Sequence, residues 1–202
     1  MEVAEARVDD KHAELVEAAA RVLRRVGFER MRLRDVAAEA EVSIGLLQHY
    51  FETREQLGRE AFAAACGQRA ADFAESAAGI DDSRERIETM LQHAFEPALI
   101  NDRSGSWLEL CAAASRDPGL RAEAIAVQAA WREPILEAIR AGQRDGELSA
   151  DLDPERAADL LLALVDGAEV ASALGESSER LLPGVDAVLE LVLGVRKEGR
   201  PG

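Results

Sequence analysis

The chain has 202 residues, 48% hydrophobic but only 4% aromatic, and a formal net charge of −15. That length can bury one core or two small linked ones. Abundant alanine favours close-packed helices over sheets. With no apolar run of bilayer length and no basic-apolar leader, the expectation is a cytoplasmic protein with no membrane contact.

In chain order, residues 1–9 are polar and expected to fray. Helix 1 is expected from about Asp10 to Val26, where Leu15, Ala18, Ala19, Val22, Leu23 and Val26 form one apolar stripe. Gly27 suits the left-handed cap that ends it, and Phe28 should anchor the following loop. Helix 2 is expected over Leu33–Ala40 and helix 3 over Ile44–Tyr50, with Ser43 as its N-cap. Thr53 and Gln56 form a capping box that starts helix 4, which should reach Ala78 before Gly79 stops it.

Five further helices should come after it. Asp82 begins helix 5 and Pro97 ends it; helix 6 covers about Arg103–Ser115. The Asp117-Pro118 and Asp153-Pro154 pairs are start signals for helix 7, to about Ala141, and helix 8, to Gly175. Pro134 should kink helix 7. Helix 9 is expected over Pro183–Lys197, with a disordered tail after it. The fold class is all-α.

The most informative stretch is LRDVAAEAEVSIGLLQHYFETREQL, residues 33–57. Leu33, Val36, Ala37 and Ala40 carry helical spacing, Glu41-Val42-Ser43 break the run, and a second short helix comes next. Two short helices joined by a tight turn form the unit whose second helix lies in the DNA major groove. With Gly27 before it and the HYF and T-R-E-x-L elements after, the stretch resembles the DNA-binding domain of the TetR family of bacterial transcriptional regulators. GLLQHYF and the later WLELCAAASRDPGL resemble the branch typified by the choline-responsive BetI repressors.

The resemblance implies an N-terminal three-helix helix-turn-helix domain, residues 1–53, and a C-terminal effector-binding and dimerisation domain, residues 54–202. Helix 3 presents Ile44, Gly45, Gln48 and His49, with Ser43 at its start. Glutamine can pair bidentately with adenine, and an apolar side chain can pack on a thymine methyl. Arg32, Arg34, Tyr50 and Arg54 occupy the family's phosphate-contacting positions. Three positions depart from the family pattern. Glu41 replaces the turn glycine, Arg32 the Thr or Ser cap of helix 2, and Gln48 a tyrosine.

The charge distribution is compatible with a DNA partner. Residues 1–60 hold 10 basic and 13 acidic side chains, and residues 61–202 hold 14 and 26. Arg21, Arg24, Arg25, Arg30, Arg32 and Arg34 cluster against Glu29, and salt screens the acidic remainder beyond about 10 Å.

An effector pocket is expected around His93, Phe95, Trp107, Cys111, Trp131 and Asp166. Glu109, Asp166 and Glu169 would favour a cation, which tryptophan faces also bind. Core packing is the competing explanation for each aromatic. Helix 8 is apolar on more than one face, and with helix 9 it is expected to form a homodimer interface through Leu162, Gly167, Ala171, Val188, Leu189 and Val192. Helix 4, with Gly58 and Gly67 in its middle, is the expected link between reader and effector domain.

No nucleophile–base set, phosphate-cradling loop or metal-ligand spacing is visible, so neither an enzyme nor a cofactor is expected. Cys66 and Cys111 are expected as free thiols. The chain is thus expected to bind a double-stranded DNA operator as a dimer, most simply as a repressor, and to respond to an unknown small-molecule effector. The alternative is a helical small-molecule-binding or scaffold protein with a degenerate DNA reader, of which Glu41 would be the sign.

Overall fold

A computed structural model describes residues 2–28, 30–177 and 182–194. Among them are nine α-helices and no strand: α1 Glu2–Val26, α2 Leu33–Glu39, α3 Ile44–Tyr50, α4 Arg54–Glu75, α5 Ser83–Ala94, α6 Pro97–Ala114, α7 Pro118–Asp145, α8 Pro154–Ala173 and α9 Leu182–Leu193. No described helix is long and apolar enough to cross a membrane.

Three boundaries differ by four residues or more from the sequence expectation, and α4 ends at Glu75, three residues before the expected Ala78. Helix α1 starts at Glu2 instead of Asp10, because residues 2–9 contain no glycine or proline and are mostly good helix formers. Helix α6 starts at Pro97 instead of Arg103: proline lacks only an amide that the first helical turn leaves unpaired anyway, so it opens this helix as well as ending the connection from α5. Helix α7 runs through Pro134 to Asp145 and stops where Gly146 turns left-handed, φ +78°. The expected tail of helix 9, beyond Gly194, lies outside the described residues.

The chain divides into two compact units. The first comprises Met1–Arg69 and Glu109–Val127, the second Ala70–Leu108 and Gln128–Gly202. The line between them therefore passes through α4, α6 and α7, whereas the sequence suggested a division after residue 53.

In the first unit, the α1 stripe is used as expected. Leu15, Ala18, Ala19 and Val22 are fully buried, with Val36 of α2 and Leu47 of α3. Phe51 and Leu57 complete this core. In the second unit, Phe73, Ile87, Met90, Ile135, Leu161 and Leu189 are fully buried. The N-caps of α5 and α8 are aspartates whose carboxylates accept from backbone amides of the first turn, Asp82 from Glu85 and Asp153 from Glu155 and Arg156.

Candidate nucleic-acid interface

The reader is assembled from local signals. Ser43 accepts from the Leu46 amide at 3.2 Å and so fixes where α3 starts. Glu41 precedes it with φ +54°, the left-handed region that a side chain enters only against steric resistance. The turn is formed nonetheless, because its neighbours hold it: the Val42 amide donates to Ala37 O at 2.9 Å and the Glu41 amide to Ala38 O at 3.3 Å. Arg32 is the N-cap of α2 but makes no side-chain cap.

With Leu47 buried on the inner face, α3 turns Ile44, Gly45, Gln48 and His49 outward, and Ile44 is 44% exposed. A Cβ added at Gly45 would meet only Ser43 Oγ, at 3.8 Å, so nothing inside the protein requires glycine there. Tyr50 is half-buried and braced by rings: His49 lies edge-on at 5.5 Å and His12 at 6.3 Å. At the start of α4, Thr53 Oγ1 accepts from the Gln56 amide, and the Gln56 side chain accepts from Glu52, one residue before the expected partner.

The structure redistributes the arginines. Arg21 and Arg25 of α1 both donate to Glu39 of α2, at 2.8 and 3.2 Å, and these bonds hold the Glu39 carboxyl below the usual range. Arg24, Arg30, Arg32 and Arg34 remain outward, Arg34 beside Asp35 at 3.5 Å. Arg54 faces inward in part. Its guanidinium donates to Phe28 O at 3.0 Å and Met31 O at 3.3 Å, and pairs with Glu55. Sequence reasoning missed this role, because main-chain acceptors leave no residue-type signal.

The expected effector residues fall into three groups. Trp107 of α6 donates to Asp166 of α8, which also accepts from Gln128 of α7 at 2.8 Å. One turn beyond Gln128 on α7, Trp131 packs against Phe73 with ring centres 4.6 Å apart. Burial raises the Asp166 carboxyl above its ordinary value, against the two hydrogen bonds. Further along α8, Ser172 donates to Asn101 at 2.6 Å and lies 3.4 Å from Ser104. Second, Phe95 caps α5 fully buried, and His93 sits half-buried in the last turn of that helix. Third, Cys111 and Glu109 fall in the first unit. Glu109, expected to favour a cation, accepts instead from the Phe28 amide at 3.1 Å.

The expected dimer residues divide between the protomer's core and its surface. Leu162 and Leu189 are buried within the protomer's own core. Gly167 is exposed, and Ala171, Val188 and Val192 are half-buried. Large apolar side chains left open here are Leu160, Val170 and Leu174 of α8 and Leu191 of α9, the last 85% exposed. The i, i+3, i+7 spacing could have separated these from the core positions of α8.

A capped, outward-facing recognition helix on a helix-turn-helix, joined to a second helical unit, defines a DNA-binding transcriptional regulator. Residues 15–61 match the family described as bacterial regulatory proteins of the tetR family, and residues 83–193 match the BetI-type transcriptional repressor C-terminal family. The chain belongs to the TetR family, with a C-terminal domain of the BetI type. It is similar to the HTH-type transcriptional repressor DhaR of Mycobacterium sp. (strain GP1), 26% identical over 89% of this chain and 90% of the relative. Its fold is similar to a TetR-family regulator from Rhodococcus sp., with a TM-score of 0.77 and 29% identity, covering 92% and 99% of the two chains. A regulator from Saccharomonospora viridis solved in complex with choline has a TM-score of 0.75 at 24% identity, covering 90% and 96%.

Proposed function

We propose that this regulator is a cytoplasmic repressor that binds a palindromic operator as a homodimer and is released by a small-molecule effector. The observation that carries the reading is the exposure of Leu160, Val170 and Leu174 along α8 and of Leu191 on α9, on a chain with one outward reader among its described residues. Large apolar residues left exposed call for a partner surface, and a two-fold copy supplies the same residues. Two linked readers then address two half-sites about 34 Å apart, so the operator mirrors the protein's symmetry.

Within each reader, Gln48 and Ile44 read base edges, while Arg32, Arg34 and Tyr50 position the helix on phosphates. The effector region is the group around Trp107, Trp131, Gln128 and Asp166. An indole face and a carboxylate together favour a cation.

The test is selection of duplexes from a randomised pool by the full-length protein, with sedimentation at micromolar concentration. A palindromic consensus and a dimer support the reading. A monomer, or no enrichment, removes it. Choline, titrated against tryptophan emission with and without the selected duplex, is the first effector probe; effector and DNA must lower each other's affinity by the same factor.

A further inference from the structure

Building on the DNA-binding function proposed for this chain, we propose that Glu109 is a positioning residue for that binding, acting through the main chain between Gly27 and Arg32.

Gly27 ends α1 with φ +78°, a conformation that turns the chain sharply out of the helix. The Glu109 carboxylate sits directly on this turn. Its Oε2 accepts from the Phe28 amide at 3.1 Å and lies 2.7 Å from where a Cβ on Gly27 would stand. The other polar group of the same residue, Phe28 O, accepts from Arg54 at 3.0 Å, and Arg54 also reaches Met31 O. Phe28 is therefore held at its amide by a carboxylate and at its carbonyl by a guanidinium. Charge-assisted bonds of this kind are stronger than neutral ones.

The helix that this loop leads into gives the grip its consequence. Arg32 caps α2 without a side-chain hydrogen bond, so α2 lacks the local device that usually fixes a helix start. Further along, α2 is fastened by buried Val36 and by the bonds from Arg21 and Arg25 to Glu39, so it is the first turn, with Arg32 and Arg34, that relies on the segment Glu109 and Arg54 hold. Arg32 and Arg34, at the start of α2, are the residues proposed to meet phosphates. Glu109 itself need not touch DNA.

The sign of the effect separates this role from simple electrostatics. Glu109 is negative, so if it acted only through its charge, removing it would strengthen DNA binding. If it positions the loop, Glu109→Ala weakens binding, while Glu109→Gln, which keeps an oxygen to accept the Phe28 amide, does not.

The experiment measures binding of full-length wild type, Glu109→Ala and Glu109→Gln to a duplex that wild type selects from a randomised pool, at several salt concentrations. We expect Glu109→Ala to bind about three- to tenfold more weakly. Glu109→Gln should stay within about twofold of wild type on the same hydrogen-bond reasoning. The salt slope of Glu109→Ala should equal that of wild type, because no phosphate contact is lost; Arg32→Ala should lower it by about 0.9. Hydrogen exchange at the Phe28 amide supplies a readout independent of DNA: fastest in Glu109→Ala, and in Glu109→Gln between that variant and wild type, because a neutral oxygen accepts less strongly than a carboxylate. Binding by Glu109→Ala as tight as wild type or tighter, or unaltered exchange at Phe28, overturns the proposal while leaving the DNA-binding function intact. Failure of wild type to select any duplex overturns both.

Discussion

The Arg54 guanidinium lies over the Phe28 ring, 5.6 Å from its centre, and donates to the Phe28 carbonyl at 3.0 Å. One side chain at the start of α4 thus grips both the ring and the main chain of the loop between α1 and α2. In doing so it ties the start of α4 to the connection between α1 and α2. Arg54 is also 31% exposed, which leaves part of the guanidinium available outside.

Arg54→Lys should therefore be far from conservative. Lysine keeps the charge, but it cannot reach two carbonyls with a planar fork or stack on the ring. We expect a loss of about 1–2 kcal/mol in stability, the scale of a partly exposed charged hydrogen bond with a cation–π contact. DNA affinity should fall with it. Denaturant unfolding of the two proteins checks the first, and a duplex titration the second. Equal midpoints would show that the contacts with Phe28 and Met31 contribute nothing.

Glu41 is the position where chemistry and conformation disagree, with a glutamate at φ +54°. Glu41→Gly removes the Cβ from a left-handed residue, which typically relieves about 1 kcal/mol or more, offset in part by the larger entropy of an unfolded glycine. The expected result is a modestly higher melting temperature with DNA binding retained. A lower melting temperature would mean that the carboxylate makes a compensating interaction.

Glycines 58 and 67 should respond oppositely, although the sequence presents both as weak points of α4. A Cβ at Gly58 would stand 2.8 Å from the Phe28 ring and 3.3 Å from Met31, whereas at Gly67 it would meet nothing within 4 Å. Gly67→Ala should stabilise the helix by up to about 1 kcal/mol. Gly58→Ala should destabilise, because the ring it displaces is the one under Arg54. Thermal melts of the two variants decide; movement in the same direction would contradict this packing.

The same pair shows what the sequence disclosed. Element order, the turn, the Ser43 cap and the inner faces of α1 and α3 were legible, because each is encoded within a few residues by periodicity or cap chemistry. The role of Gly58 was not, since it depends on a ring thirty residues earlier in the chain. Glu109 was misread for the same reason: its partner is a backbone amide, which any residue but proline supplies. On α8, composition gave an apolar helix but not which leucines the protomer buries itself. Leu162 and Leu160 are two residues apart, yet only Leu160, 53% exposed, is open.

That distinction yields a test of the dimer. Leu191→Lys places a charge at an open position, where the isolated protomer solvates it, so it should give a folded monomer that binds the selected duplex weakly. Leu189→Lys places the charge at a position with no exposure and should unfold the protein outright. Sedimentation together with circular dichroism separates the two outcomes. A stable dimer in Leu191→Lys would move the interface elsewhere.

The Asp166 carboxyl offers a pH-dependent signal from the proposed effector region. Burial is the main influence on it and raises its pKa, while the hydrogen bonds from Gln128 and Trp107 act the other way. Because the folded value lies above the unfolded one, the folded protein holds the proton at pH values where the unfolded chain has released it. The group's contribution is therefore most favourable to folding below the unfolded pKa and is lost as pH rises through the folded pKa. Since Trp107 donates to this carboxyl, its emission should report the same event. In a Trp131→Phe background, which leaves Trp107 as the sole indole, emission should titrate above the ordinary aspartate range, and Asp166→Asn should abolish the transition. A cation seated against the carboxylate would favour the ionised form and pull the midpoint down. A choline-dependent fall in that midpoint would place a cation at Asp166. A midpoint that choline leaves unmoved, in a protein whose emission choline nonetheless changes, would put the effector elsewhere in the second unit.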